Sequence, residues 1–174
     1  LGHGMREIAG VRCRVLRLSF TGELSYELHH PVAQSVELWR ALLEAGADFG
    51  IVPHGLEALM RSRVEKGHVV VGQDTDYDST PRRIDHGWAV NLRKGDFLGR
   101  RAVERTNQIP LDKQLVGLVV EGERDATPFE GAVLWHGDEY AGYTTSTAWS
   151  DEVGAPIALA WLLTFDGELP SEVT

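Results

Sequence analysis

The strongest constraint on this chain is a change in the period of its hydrophobic pattern. Apolar and polar side chains alternate between residues 11 and 29, apolar residues recur every three or four positions from residue 32, and alternation returns from residue 115. Period two puts one set of side chains on one face of a strand, whereas a period near 3.6 draws a stripe along a helix. A chain that switches in this order packs helices against one sheet and then builds another, so the expected class is α+β. Val11, Cys13 and Val15 alternate with Arg12 and Arg14, then the phase slips and Leu16, Leu18 and Phe20 alternate with Arg17 and Ser19. This predicts a strand over 11–20 with a bulge. Thr21-Gly22-Glu23 predicts a turn. A second strand over 24–29 is expected to place Leu24, Tyr26 and Leu28 on one side and Ser25, Glu27 and His29 on the other.

Pro31 can open a helix, where its missing N–H does no harm. Val32, Val36, Trp39, Leu42 and Leu43 form its expected apolar stripe, and Gly46 its expected end. A second helix is predicted over 55–66, with Leu56, Leu59, Met60 and Val64 on one face and Gly67 beyond its end. Residues 69–92 carry Asp74, Asp76, Asp78, Arg82, Arg83, Asp85 and His86 around Thr80-Pro81. That density of polar groups predicts a loop rather than core. A short helix over 100–105 and a linker over 107–112 follow. Strand-like runs at 115–121, 132–135, 140–146 and 157–163 are punctuated by Gly122, Gly131, Gly137 and Gly154. They predict a second, all-β unit, a small antiparallel β-barrel lacking a closing strand. The expected domains are 1–106 and 107–174.

The net charge of -9 argues against nucleic acid as a partner, because phosphate contact needs a basic footprint. Cys13 is the only cysteine, so no disulfide forms within the chain, and burial in a strand is its expected role. No apolar run reaches the ~18 residues that span a bilayer, and residues 1–7 lack the apolar segment of a signal peptide. These features predict a cytoplasmic protein without a membrane partner. Asp85 and His86, with Asp76 or Asp78, come nearest to a metal-ligand set, but carboxylates in a wet loop are ordinarily solvated, so no metal is expected. Ser25, Glu27 and His29 lack the sharp turn that exposes a nucleophile. No catalytic residue is assigned.

Two residues carry more weight. Glu27 is predicted on the strand face away from Leu24, Tyr26 and Leu28. If helices cover the apolar side, its carboxylate looks into whatever lies over the other face, where it can accept two parallel N–H bonds from a planar ring edge such as that of a reduced pterin. Arg63 lies between Met60 and Val64 at the flank of the helix stripe. Its fork can reach a ligand carbonyl, clamp Glu27 or Glu65, or simply lie along the helix. Spacing alone does not choose between these roles and ordinary surface positions.

Ordered motifs narrow the choice. Ser19-Phe20-Thr21-Gly22-Glu23-Leu24-Ser25-Tyr26-Glu27-Leu28 resembles the "TGE…YE" signature of the aminomethyltransferase fold of the glycine cleavage system. Ile51-Val52-Pro53-His54-Gly55-Leu56-Glu57-Ala58-Leu59, then Arg63-Val64-Glu65-Lys66-Gly67, Val71-Gly72-Gln73-Asp74-Thr75-Asp76 and Lys94-Gly95-Asp96-Phe97-Leu98-Gly99-Arg100 continue it in order. Gly142-Tyr143-Thr144-Thr145-Ser146 and Gly154-Ala155-Pro156-Ile157-Ala158-Leu159-Ala160 are similar to the motifs of the family's C-terminal barrel. Within the family, Glu65-Lys66-Gly67 before Val71-Gly72-Gln73-Asp74 most resembles the alpha subunits of heterotetrameric sarcosine oxidases.

The resemblance implies a partial aminomethyltransferase-like folate-binding fold followed by the barrel. It implies tetrahydrofolate as cofactor, held by Glu27 and Arg63, with Glu65 as the following acid and Tyr26 as a supporting aromatic. FAD, FMN and NAD are implied elsewhere in a parent complex, whose other subunits are the implied partners. There the N-methyl group of sarcosine is oxidised and the one-carbon unit is captured as 5,10-methylenetetrahydrofolate. The family's catalytic carboxylate comes from sequence preceding this region, so the chain alone is expected to be inactive and to bind folate weakly or not at all. Other readings are a one-carbon transfer protein without oxidase activity and a non-enzymatic assembly module.

Overall fold

The computed structural model describes residues 2–174. They form two compact units, one reaching to Lys66 and the other spanning Gly67–Thr174.

The first unit contains an antiparallel sheet of β1 (His3–Ile8), β2 (Val11–Leu16) and β3 (Glu27–His29), in that order. β1 and β2 are joined by Ala9-Gly10, with φ of 50° and 78°. Two positive φ values in a two-residue loop match the twist of the strands they connect, and glycine at the second position meets that demand without strain. β1 was not expected, because its residues carry little apolar signal; the two-residue turn was the available clue. The strand expected over 11–20 ends at Leu16. There the Arg17 amide donates to the Gly2 carbonyl, and the Gly22 amide donates to Ser19 Oγ, drawing 19–22 into a turn. β3 is correspondingly short and pairs Arg14 with His29, Val15 with Leu28 and Leu16 with Glu27.

Helix α1 (Ser35–Gly46) closes one face of this sheet. Leu38 is buried with Val11 and Cys13, and Ile8, Val15, Leu28 and Leu42 pack around them. Burying one such leucine stabilises the fold by about 2 kcal/mol. The expected stripe is therefore rotated. Leu38 and Leu42 face the sheet, while Val32, Val36 and Trp39 stay exposed. Nor does Gly46 supply the left-handed stop. A 3-10 turn over Ala47–Phe49 extends the helix, and Gly50 at φ 72° ends it. Gly46 instead admits Ile51, whose side chain would lie 2.6 Å from a Cβ there. α2 (Leu56–Lys66) completes the unit, burying Arg63 and Val64 rather than Leu56.

The second unit holds α3 (Arg100–Thr106) and a sheet of β4 (Lys113–Val119), β5 (Val133–His136), β6 (Glu139–Ser150) and β7 (Ala155–Leu163). The strand order is β4-β7-β6-β5, all antiparallel. The expected β-barrel is not formed. β4 and β5 are the two outer strands and do not pair with each other, so the sheet stays open. Four strands lack the circumference that closure needs once side chains must fill the interior. β7 is central and runs buried from Pro156 to Leu162.

β6 extends past the expected end at Ser146 because its register shifts between Thr144 and Ser146. That bulge resets the alternation and disguises the second half of the strand. Gly142 sits opposite Leu162 at φ 151°, and a Cβ there would collide with the Trp161 carbonyl. Gly142→Ala is expected to destabilise the second unit by about 2–3 kcal/mol, through strain and displaced pairing. Urea melts of the variant should show a lower midpoint; an unchanged midpoint would contradict the close approach.

Candidate functional site

Cross-strand register sorts the first sheet into two faces. Val11, Cys13, Val15 and Leu28 lie under α1. His3, Met5, Glu7, Arg12, Arg14, Leu16, Glu27 and His29 share the opposite face, which the described residues of this unit leave open. Glu27 opens β3 on that side with its side chain 53% exposed. Its Oε2 lies 2.9 Å from His29 Nε2. A pair this exposed contributes at most about 1 kcal/mol and is readily exchanged. Among the described residues Oε1 has no hydrogen-bond partner, so the carboxylate retains accepting capacity. Its partner is His29 and not Arg63.

Arg63 is 1% exposed, beside buried Val64 on α2. Both Arg63 and Glu65 engage in polar or electrostatic interactions, which offset part of the cost of burying the guanidinium, while Arg63 Nε itself is buried without a hydrogen bond among the described residues. Glu65 itself is exposed, and residues two apart on a helix do not face each other. Tyr26 is exposed and lines an open hollow of about 330 Å³ with His3, Arg6, Val15 and Arg17. Val15 belongs to the helix-covered face. His3, paired with Leu16, belongs to Glu27's face, so the hollow draws on both faces at the end of the sheet.

The acid-rich loop of the second unit has a structural use that its sequence concealed. Asp74 was expected in solvated loop, yet it is 1% exposed. Its Oδ1 accepts from Thr145 Oγ1 at 2.6 Å and Ser146 Oγ at 2.5 Å, and its Oδ2 from the Val70 amide at 2.7 Å. Trp161 Nε1 donates to its backbone carbonyl at 2.9 Å. The β6 bulge is what turns two consecutive hydroxyls toward one carboxylate. The signal available beforehand was Thr144-Thr145-Ser146 within a strand, a run of hydroxyls that a buried acid can recruit.

The other acids are also engaged. Arg83 forks onto both oxygens of Asp112 at 2.7–2.8 Å and onto Asp78 at 2.7 Å, and Lys113 Nζ reaches Asp78 at 3.2 Å. Hydrogen bonds from Lys113 and then Arg83 hold the Asp78 carboxyl below its ordinary range. For Asp112 burial pushes upward, and the bonds from Arg83 outweigh it. Asp76 Oδ1 accepts from the Asp78 amide and from Ser79 Oγ, while His86 Nδ1 lies 2.6 Å from the Ile84 carbonyl. Among the described residues no group of three or more His, Cys, Asp or Glu side chains is arranged to hold a metal ion. No helix there is long and apolar enough to cross a membrane.

Residues 3–94 match the family described as the GCVT N-terminal domain, and residues 113–171 match the glycine cleavage T-protein C-terminal barrel domain. An aminomethyltransferase of Halothermothrix orenii is 33% identical over 165 residues, covering 95% of this chain and 45% of that protein. A sarcosine oxidase subunit alpha of Rhizobium meliloti is 38% identical over 152 residues, covering 84% of this chain and 15% of that protein. The crystal structure of the glycine cleavage system aminomethyltransferase T from Bartonella henselae superposes with a TM-score of 0.78 at 26% identity, covering 87% of this chain and 42% of that one. The chain thus spans less than half the length of these relatives.

Asp74→Ala is expected to cost the second unit about 3 kcal/mol, since it removes the carboxylate that accepts from the buried Thr145 and Ser146 hydroxyls and the Val70 amide; calorimetry showing no loss would contradict the network. Acid should act through Asp78 and Asp112. With folded-state pKa values below the unfolded ones, their stabilisation is present above the unfolded value of about 3.9 and is lost as pH falls through the folded values. Arg83→Met should flatten the dependence of Tm on pH below about pH 5, and an unaltered slope would exclude this source.

Proposed function

The chain belongs to the glycine cleavage T-protein family, and from that premise we propose that it forms the tetrahydrofolate-holding part of a sarcosine oxidase alpha subunit. The parent enzyme would demethylate sarcosine oxidatively to glycine and capture the one-carbon unit as 5,10-methylenetetrahydrofolate. The reading draws on similarity to the alpha subunits of Rhizobium meliloti and Corynebacterium sarcosine oxidases, at 38% and 34% identity. In this reading residues 1–106 are the C-terminal part of the folate-binding domain and 107–174 the β domain after it. FAD, FMN and NAD belong elsewhere in the complex. The exposed Val32, Val36 and Trp39 on α1 suit burial against other parts of such an assembly.

One observation carries the folate assignment: Glu27 projects from an open sheet face with accepting capacity to spare. A reduced pterin presents a ring N–H and an exocyclic amino group in parallel, and a carboxylate meets that pair with two charge-assisted bonds. Tetrahydrofolate supplies the nitrogens that accept the one-carbon unit. Glu27 orients the pterin edge and donates no proton, so its contribution is proximity and alignment. Arg63, buried at the end of α2, positions the wall of the site, and Glu65 and Tyr26 support it.

In the full-length protein carrying this sequence, Glu27→Gln should weaken tetrahydrofolate binding about 10–100-fold, the loss of one bidentate charged acceptor, and lower the yield of methylenetetrahydrofolate. Sarcosine oxidation without folate should persist. Unchanged affinity and yield would remove Glu27 from the site. A second reading, aminomethyl transfer without oxidation, is favoured by the 95% coverage of this chain by the Halothermothrix orenii aminomethyltransferase. Absence of sarcosine turnover by the full-length protein, with folate binding retained, would select it.

A further inference from the structure

Glu27 and His29 are two residues apart on β3, so both side chains rise from the open face, about 6.5 Å apart at the backbone. They touch only by leaning along the strand toward each other, which brings His29 Nε2 to 2.9 Å from Glu27 Oε2. One of the two carboxylate oxygens that a pterin edge would use is therefore already engaged. Within the sheet β3 pairs with β2 alone. Arg14 stands directly across from His29, and Leu16 across from Glu27. Beyond them on β1, Met5 faces Arg14 and His3 faces Leu16, while Glu7 and Arg12 stand opposite each other at the far end of the face. With a guanidinium across the sheet and a carboxylate beside it, an imidazole that gains a proton is drawn to the carboxylate, and the bond between them becomes charge-assisted.

We propose that His29 sets the folate affinity of this site: its imidazole occupies Glu27 Oε2 while the site is empty, and a reduced pterin binds by displacing it. The inference rests on the folate reading of Glu27 and adds an internal competitor to it. Only molecules whose carboxylate is clear of the imidazole accept the ring edge through both oxygens, so the apparent affinity is reduced by the fraction held. Protonation of the imidazole enlarges that fraction, and imidazole is the side chain whose charge ordinarily changes between about pH 5 and 8. Pterin binding withdraws the carboxylate that steadies an imidazolium, so it releases protons, and by linkage the affinity rises with pH. Both side chains are more than half exposed. That exposure keeps the competitor weak enough to be displaced and limits its effect to about 5-fold in affinity.

The test titrates the full-length protein carrying this sequence with 5-formyltetrahydrofolate, whose own charges stay constant between about pH 6 and about pH 8. The unsubstituted protein should bind up to about 5-fold more weakly at the lower pH, with net proton release seen by calorimetry in buffers of different ionisation enthalpy. His29→Gln keeps a donor and loses the titration, so its affinity should be the same at both pH values. His29→Val, which removes the competitor, should bind at least as tightly as the unsubstituted protein does at the higher pH. His3→Gln, on the same face, should keep the original pH dependence. An affinity independent of pH in the unsubstituted protein, or a dependence that survives in both folded His29 variants, overturns the proposal, while weaker binding by Glu27→Gln still keeps Glu27 in the site. Weaker binding by both His29 variants at both pH values also overturns it, because His29 would then be a contact and not a competitor. Affinity indifferent to Glu27→Gln and to both His29 variants removes the folate reading itself, and the competitor with it.

Discussion

Leu38 packed on Val11 and Cys13 decides which side of the first sheet is closed, and every functional assignment in that unit follows from it. Side chains alternate along an unbulged strand such as β3, so covering one face with α1 commits Glu27 to the other. A register slip of one residue at β3 would bury Glu27 against Leu38 and present Leu28 to solvent. The penalty for a buried unpaired carboxylate makes that arrangement untenable. The apolar contact is thus what aims the polar one.

The second unit depends on a different kind of contact. β7 supplies a continuous buried strand, but the loop at 70–74 is fixed to the sheet by one carboxylate. Asp74 collects hydroxyls from Thr145 and Ser146 because a bulge points both toward it, and its carbonyl takes the Trp161 indole. A satisfied buried network specifies one arrangement more sharply than apolar packing does. Arg83 extends the same logic outward, tying Asp78 to Asp112 in partly exposed bonds that acid loosens first.

What could be read from residues alone was whatever depended on period. The core strand at 11–16, both long helices and the four β runs of the second unit follow from alternation or stripe, and Glu27 was placed on the face opposite Leu28 by the same rule. What escaped depended on geometry outside the pattern. β1 carries almost no apolar signal and exists because Ala9-Gly10 folds it back. The α1 stripe was rotated because Val32, Val36 and Trp39 form a second apolar face as regular as the packed one. Asp74 looked like solvated loop because its partners lie seventy residues away. The barrel expectation failed since strand count, not strand pattern, governs closure. Arg63 showed only as a residue at the edge of a stripe, and its burial became visible with the helix in place.

The most direct measurement is a crystal structure of the full-length protein with a stable reduced folate bound. The account predicts both Glu27 carboxylate oxygens within hydrogen-bonding distance of the pterin ring N–H and exocyclic amino group, with His29 released from Oε2. A pterin seated elsewhere, with Glu27 still turned to His29 and solvent, would contradict it.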